Sequence, residues 1–168
     1  MGVLTALTVL TGCSTMPGAA PDPREQLAQR PTFEAAERGY LDLLAELKRI
    51  LDERVPGLEW QSEGPAERSR GGCGEPFDRV DGAENANYSV GRGAMGAVPD
   101  AQWQPTVDAL RVPLGEQGFT QVTVLQDEPG AHEVSIGDPH TGARVVFGTK
   151  VGTILTLYGA CFLREDRG

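Results

Sequence analysis

The amino-acid sequence predicts an α+β fold: a two-layer sandwich in which an antiparallel sheet of about four to six strands is covered on one face by two helices. Three observations carry this expectation. Apolar residues recur at three- and four-residue steps from Phe33 to Leu51, and again from Trp103 to Leu114, which is the stripe of an amphipathic helix. The C-terminal third consists of short segments of alternating polarity divided by turn residues, the pattern of hairpin-linked strands. Finally, 168 residues with 39% hydrophobic and 23% charged content suit one globular domain with one core. That domain is expected to span 32–163, with 164–168 as a tail.

The elements follow in order. Thr32, after Pro31, is placed to cap a helix whose buried stripe is Phe33, Ala36, Tyr40, Leu44, Leu47 and Leu51, since a threonine oxygen accepts from the orphan N–H groups of a first turn. Its opposite face carries Glu37, Asp42, Glu46, Arg49 and Glu53, and Pro56 and Gly57 stop it. Residues 58–62 fit a short strand. From 63 to 86 the chain is dense in Gly, Pro, Arg and acids, so a long loop is expected. A strand at 87–91 precedes a second helix, capped by Asp100, whose apolar face is Trp103, Val107, Leu110 and Leu114. Pro113 should kink its last turn, and Gly118 followed by Phe119 fits a left-handed cap with its apolar contact. Strands are then expected at 121–127, 132–137, 143–149 and 152–163. Pro129 and Gly130, residues 138–142, and residues 149–152 supply the turns between them. Val122 and Val124, Val134 and Ile136, and Val145 and Phe147 alternate with polar partners, so one sheet face should be covered and the other wet.

The N-terminus has a different character. Residues 1–12 contain no charge, and their apolar run is too short to cross a hydrocarbon layer, which takes about 20 helical residues. It is the core of a signal peptide. Leu10, Thr11, Gly12 and Cys13 match the lipobox, in which small residues precede a cysteine whose thiol takes lipid. The expected mature chain therefore starts at Cys13, carries palmitate-type acyl groups, and is held to the outer, extracytoplasmic face of the cell membrane. Residues 13–31 are rich in Pro, Gly and Ala, and are expected to be a disordered tether. A basic start, usual in export signals, is absent, and Ala6 excludes the eukaryotic myristoylation pattern.

Formal charge and cysteine count narrow the function. A net charge of -9 with a pI near 4.7 argues against nucleic acid, because phosphate binding needs clustered cations. With Cys13 taken by lipid, Cys73 and Cys161 form an even pair in an oxidising compartment, and a disulfide is expected. A catalytic thiol or a metal pair are the competing readings. No C-x-x-C and no local Cys or His cluster completes a site for either, and no metal is expected. Gly91, Arg92, Gly93, Ala94, Met95 and Gly96 match G-x-G-x-x-G, but the helix cap comes four residues late and the strands after it form hairpins. A glycine-rich loop is therefore expected in place of a dinucleotide site. His132 and His140 fall at opposite ends of one strand, roughly 20 Å apart at about 3.3 Å per residue, so each is expected to be exposed or capping. Arg92, Arg144 and Lys150 are isolated cations that would bind an anion if the sheet gathered them. No serine elbow, H-E-x-x-H, P-loop or calcium loop is present, so neither catalysis nor a cofactor is expected.

The lipobox, the helix start at Pro31, Thr32 and Phe33, Cys73, Trp103, the Gly118–Phe119 pair and the run from Gly142, Ala143 and Arg144 through Phe147, Gly148 and Thr149 to Cys161 make the chain similar to the LppA-type lipoproteins of actinobacteria. The resemblance covers nearly the whole mature chain. It implies a cell-surface lipoprotein and supplies no catalytic residue. The expected role is a non-catalytic module that binds an envelope ligand or protein partner. The alternatives are an envelope-polymer hydrolase and an assembly lipoprotein whose 63–86 loop meets a partner.

Overall fold

Residues 21–165 are described in a computed structural model of the chain. Along them run α1 (Pro23–Ala28), α2 (Phe33–Arg54), β1 (Glu59–Trp60), β2 (Glu67–Gly71), β3 (Ala83–Ser89) and β4 (Ala94–Met95). Then come α3 (Asp100–Glu116), β5 (Gln121–Glu128), β6 (Ala131–Gly137), β7 (Arg144–Thr149), β8 (Gly152–Tyr158) and β9 (Phe162–Leu163). All ladders are antiparallel. The main sheet runs β1-β4-β8-β7-β6-β5, with β3 joining β8 and carrying β2 and β9. This is the predicted α+β architecture, with helices on one face. The signal segment 1–12 and the lipobox cysteine Cys13 lie outside the described residues, and among the described residues no helix is long and apolar enough to cross a membrane.

Register explains the core. Tyr88 opposes Leu157, Leu157 opposes Val145, and Val145 opposes Ile136. In the next row Leu155 opposes Phe147, which opposes Val134. These side chains share one face because alternate residues of a strand point the same way. Onto it pack Leu44, Leu47 and Leu51 of α2 and Trp103, Leu110 and Leu114 of α3, all buried. The Thr32 hydroxyl accepts from Ala35 N–H at 3.3 Å, as its place before Phe33 predicts. At the end of α3, Phe119 N–H reaches Leu114 C=O at 3.0 Å and Gly118 N–H reaches Gly115 C=O at 3.1 Å, with Gly118 at φ +87°, a Schellman cap.

Several expectations need correction. The 63–86 segment is not one loop, because β2 pairs with β3 along five residue pairs from Glu67↔Ser89 to Gly71↔Asn85. β2 is polar and nearly all exposed, so it lacks the apolar alternation by which a strand is recognised. The expected last strand is broken at Gly159, where a Cβ would lie 2.4 Å from Ala86 O. β9 then forms a separate ladder with β3. Val122 and Val124 are 41% and 61% exposed, on a strand at one edge of the sheet. Asp100 is not the cap of α3. Pro99 holds that position without a side-chain hydrogen bond, and α3 continues through Pro113 to Glu116.

The chain expected as a tether to residue 31 is folded from Asp22 onward. Asp22 caps α1, accepting from Arg24 N–H and Glu25 N–H, and Leu27 is fully buried. Arg24 donates to Asp81 O at 2.9 Å, and Arg30 to Cys161 O at 3.0 Å. The start of the expected tail is tied down as well, with Arg164 paired to Glu84 and Glu165 N–H donating to Glu34. Cys73 and Cys161 are joined by a disulfide, their Cα atoms 5.7 Å apart. It pins the 72–82 connection beside β9.

Candidate functional site

Between the first half of α2, the end of α3 and the β6–β7 turn lies a cleft of about 230 Å³. Its apolar lining comes from Ala36, Leu43, Phe119 and Phe162, and its polar groups are Tyr40, Gln117, Asp138 and Thr141. Exposed Gly39 lies on its rim, where an added Cβ would meet nothing within 4 Å. Tyr40 forms the back wall, its ring set edge-on to Tyr88, Phe119 and Phe162 at centroid distances of 6.2, 6.4 and 6.0 Å. Burial raises the Tyr40 phenol to about 12, against the lowering effect of the Ala160 backbone hydrogen bond. The phenol therefore stays protonated. Asp138 is held by His140 N–H at 2.8 Å and by the Thr141 hydroxyl. An apolar slot with a few fixed polar groups is the usual form of a small-molecule site, and this volume sits just below the common range of about 300–1,000 Å³. It suits the apolar part of a small ligand.

The sequence places Tyr40 in a helix stripe and Asp138 and Thr141 in a turn. Each assignment holds locally, but the convergence of three distant segments leaves no mark in residue spacing.

His132 departs from expectation. It is 8% exposed, with its ring nitrogens 2.8 Å from Asp127 Oδ1 and 3.0 Å from Asp100 Oδ1. Its ring stacks on Trp103 at 5.1 Å, and Trp103 stacks on Phe147 at 4.8 Å. A signal was present: His132 shares strand parity with Val134 and Ile136 and so points to the covered face. Asp127 reaches the same side because a bulge at Leu125 shifts register between Val124 and Gln126. Asp100 also accepts Gly130 N–H at 2.9 Å, so the three side chains clasp the β5–β6 hairpin to the start of α3.

The clasp should be pH-dependent. Burial works against the imidazolium, but the hydrogen bonds to Asp100 and Asp127 outweigh it and raise the His132 pKa above 6.5. The His132 hydrogen bond holds Asp100 below its ordinary 3.8. A raised histidine contributes fully below its unfolded value and loses that contribution as pH rises through the folded one. A depressed carboxyl contributes above its unfolded value and loses it as pH falls through the folded one. The clasp is therefore strongest between about pH 4 and 6.5. Urea midpoints should fall more from pH 6 to pH 9 in the parent chain than in His132→Gln, and parallel profiles would contradict the clasp.

The three cations do not converge. Arg92 Nε lies 2.9 Å from both Glu67 carboxylate oxygens, and Arg144 stacks over Tyr158 at 4.3 Å. Lys150 follows β7, at the end opposite Arg144, so those two are separated by roughly 20 Å of strand. The G-x-G-x-x-G stretch contains β4 and opens no helix, and a Cβ on Gly96 would sit 2.8 Å from Gly57 O. Its glycines turn and pack closely, as the sequence suggested, but Ala94 and Met95 pair with β8 as a strand instead of belonging to a loop.

The fold is similar to that in the crystal structure of the lipoprotein LppA from Mycobacterium tuberculosis, with a TM-score of 0.58 and 14% sequence identity. The match covers 86% of this chain and 88% of that one. At that identity the likeness speaks for the fold alone. No curated protein matches the chain. The model of the LppA family, described as a lipoprotein confined to pathogenic Mycobacterium, matches residues 6–165. That match spans almost the whole chain, which therefore belongs to the LppA lipoprotein family.

Proposed function

We propose that this lipoprotein is a non-catalytic binding module of the cell envelope. It is anchored to the outer face of the membrane by lipid on Cys13 and takes the apolar part of a small amphiphilic ligand in the Tyr40 cleft. The cleft carries this reading: an apolar slot lined by Ala36, Leu43, Phe119 and Phe162 and edged by a few fixed polar groups, the usual form of a small-molecule site. The protonated Tyr40 phenol, Thr141 and Gln117 supply polar groups for the ligand's head.

Gly39→Leu tests the site. The side chain would enter the cleft, so binding of a fluorescent fatty-acid probe should be lost. The melting temperature should hold or rise, because leucine is the better helix former. Unchanged probe binding would rule out the cleft as the binding site. The anchor has its own test: Cys13→Ala should move the protein from the membrane to the soluble fraction with its leader uncleaved, and membrane retention of the variant would refute lipidation at Cys13.

A further inference from the structure

Opposite the helices, where the chain crosses from β3 to β4, the outer sheet face holds a shallow trough of about 360 Å³. Glu67, Ser89 and Thr156 are consecutive cross-strand partners there, and the Ser89 and Thr156 hydroxyls lie 3.4 Å apart. Beyond the trough the register continues to the buried Val146 and then to Ser135 and Thr123. At the trough's rim stands Arg92. Gly91, Arg92 and Gly93 have φ of +53°, +54° and +94°, left-handed backbone that glycine adopts freely and arginine does not. An arginine held in a conformation suited to glycine marks a place where the side chain is wanted in spite of the backbone.

The chemistry of the trough selects its ligand. Glu67 accepts Arg92 Nε with both carboxylate oxygens at 2.9 Å, so the pair presents no net charge to an anion. A chain of net charge -9 also repels polyanions. What remains are the Arg92 terminal nitrogens, which bond to no other described residue, the lone pairs of Glu67 left over from Arg92 and from the Ser62 hydroxyl that donates to Oε1 at 3.3 Å, and serine and threonine hydroxyls that both donate and accept. Vicinal sugar hydroxyls likewise donate and accept side by side. A polar row across three strands, Glu67, Ser89 and Thr156, suits a short stretch of glycan lying on the surface. We propose that this trough binds the vicinal hydroxyls of a neutral glycan chain, with Arg92 as donor, Glu67 as acceptor and the Ser89–Thr156 pair as floor. The site is separate from the Tyr40 cleft and does not depend on it.

The test is an amide NMR titration of the full disulfide-bonded chain with maltotetraose and mannotetraose, with inorganic phosphate as the anionic control. A sugar should shift the signals of Glu67, Ser69, Ser89 and Thr156, and phosphate should not. Arg92→Gly should weaken binding about tenfold or more, the equivalent of one charge-assisted hydrogen bond. Its melting temperature should not fall, because glycine relieves the left-handed strain. Gly39→Leu should bind the sugar normally. The proposal is overturned if neither sugar shifts these signals or phosphate alone does. It is equally overturned if Arg92→Gly binds unchanged, or if that variant loses stability, which would make Arg92 a structural residue.

Discussion

Replacing both Cys73 and Cys161 by alanine should lower stability by roughly 2–5 kcal/mol, the largest effect expected of any change to a pair of residues here. The disulfide closes a separation of 88 residues, from before β3 to the approach to β9. Most of the sheet and all of α3 therefore lie inside the loop. In the chain-entropy model, stabilisation arises because the unfolded chain loses freedom, and it grows with the logarithm of loop length. A domain of this size has a total of about 5–15 kcal/mol, so the disulfide is a large share. Urea unfolding of the oxidised chain, the reduced chain and the double alanine variant measures it. The last two should coincide, with a steeper denaturant dependence than the oxidised chain, because a chain without the crosslink exposes more surface on unfolding. Identical midpoints with and without reductant would contradict the assignment.

Trp103→Ala should cost about 3–5 kcal/mol, the usual penalty for emptying a large aromatic site in a core. Trp103 is 6% exposed and packs flat on both Phe147 and His132. It thus joins the second turn of α3 to two adjacent strands and backs the Asp100–His132–Asp127 clasp. Trp103→Phe keeps most of the ring area and should recover more than half of the loss. Unfolding followed by far-ultraviolet circular dichroism reports both variants, and a loss below 1 kcal/mol for the alanine would place Trp103 outside the core.

Helices α2 and α3 and strands β6 to β8 were legible from sequence because burial imposes a period on each: Leu44, Leu47 and Leu51 at helical steps, Val134 and Ile136, or Val145 and Phe147, at strand steps. Where burial imposes no period, the sequence carries no such mark. β2 is wet on both faces, so its residues Glu67, Arg68, Ser69 and Arg70 resemble a loop while forming a regular ladder. α1 was hidden because a single large apolar residue, Leu27, docks it, and one residue has no periodicity. The cleft escaped because its lining comes from Pro31, the α2 face, Gln117, the β6–β7 turn and Phe162, which only the tertiary fold brings together. His132 lay between these cases: its parity was visible, but its two carboxylates depend on a bulge that alternation alone does not reveal.

That bulge has another consequence. Strand β5 is eight residues long, lies at the sheet edge, and exposes Val122, Val124 and Leu125, a combination that invites edge-to-edge pairing between molecules. Leu125 has no cross-strand partner, and a bulge bends and twists the strand that carries it. A second chain adding along this edge could extend a regular ladder only over Gln121 to Val124 before meeting the bend, and beyond it the acidic pair Asp127 and Glu128. The same irregularity that brings Asp127 to His132 thus guards the protein against sheet-mediated aggregation.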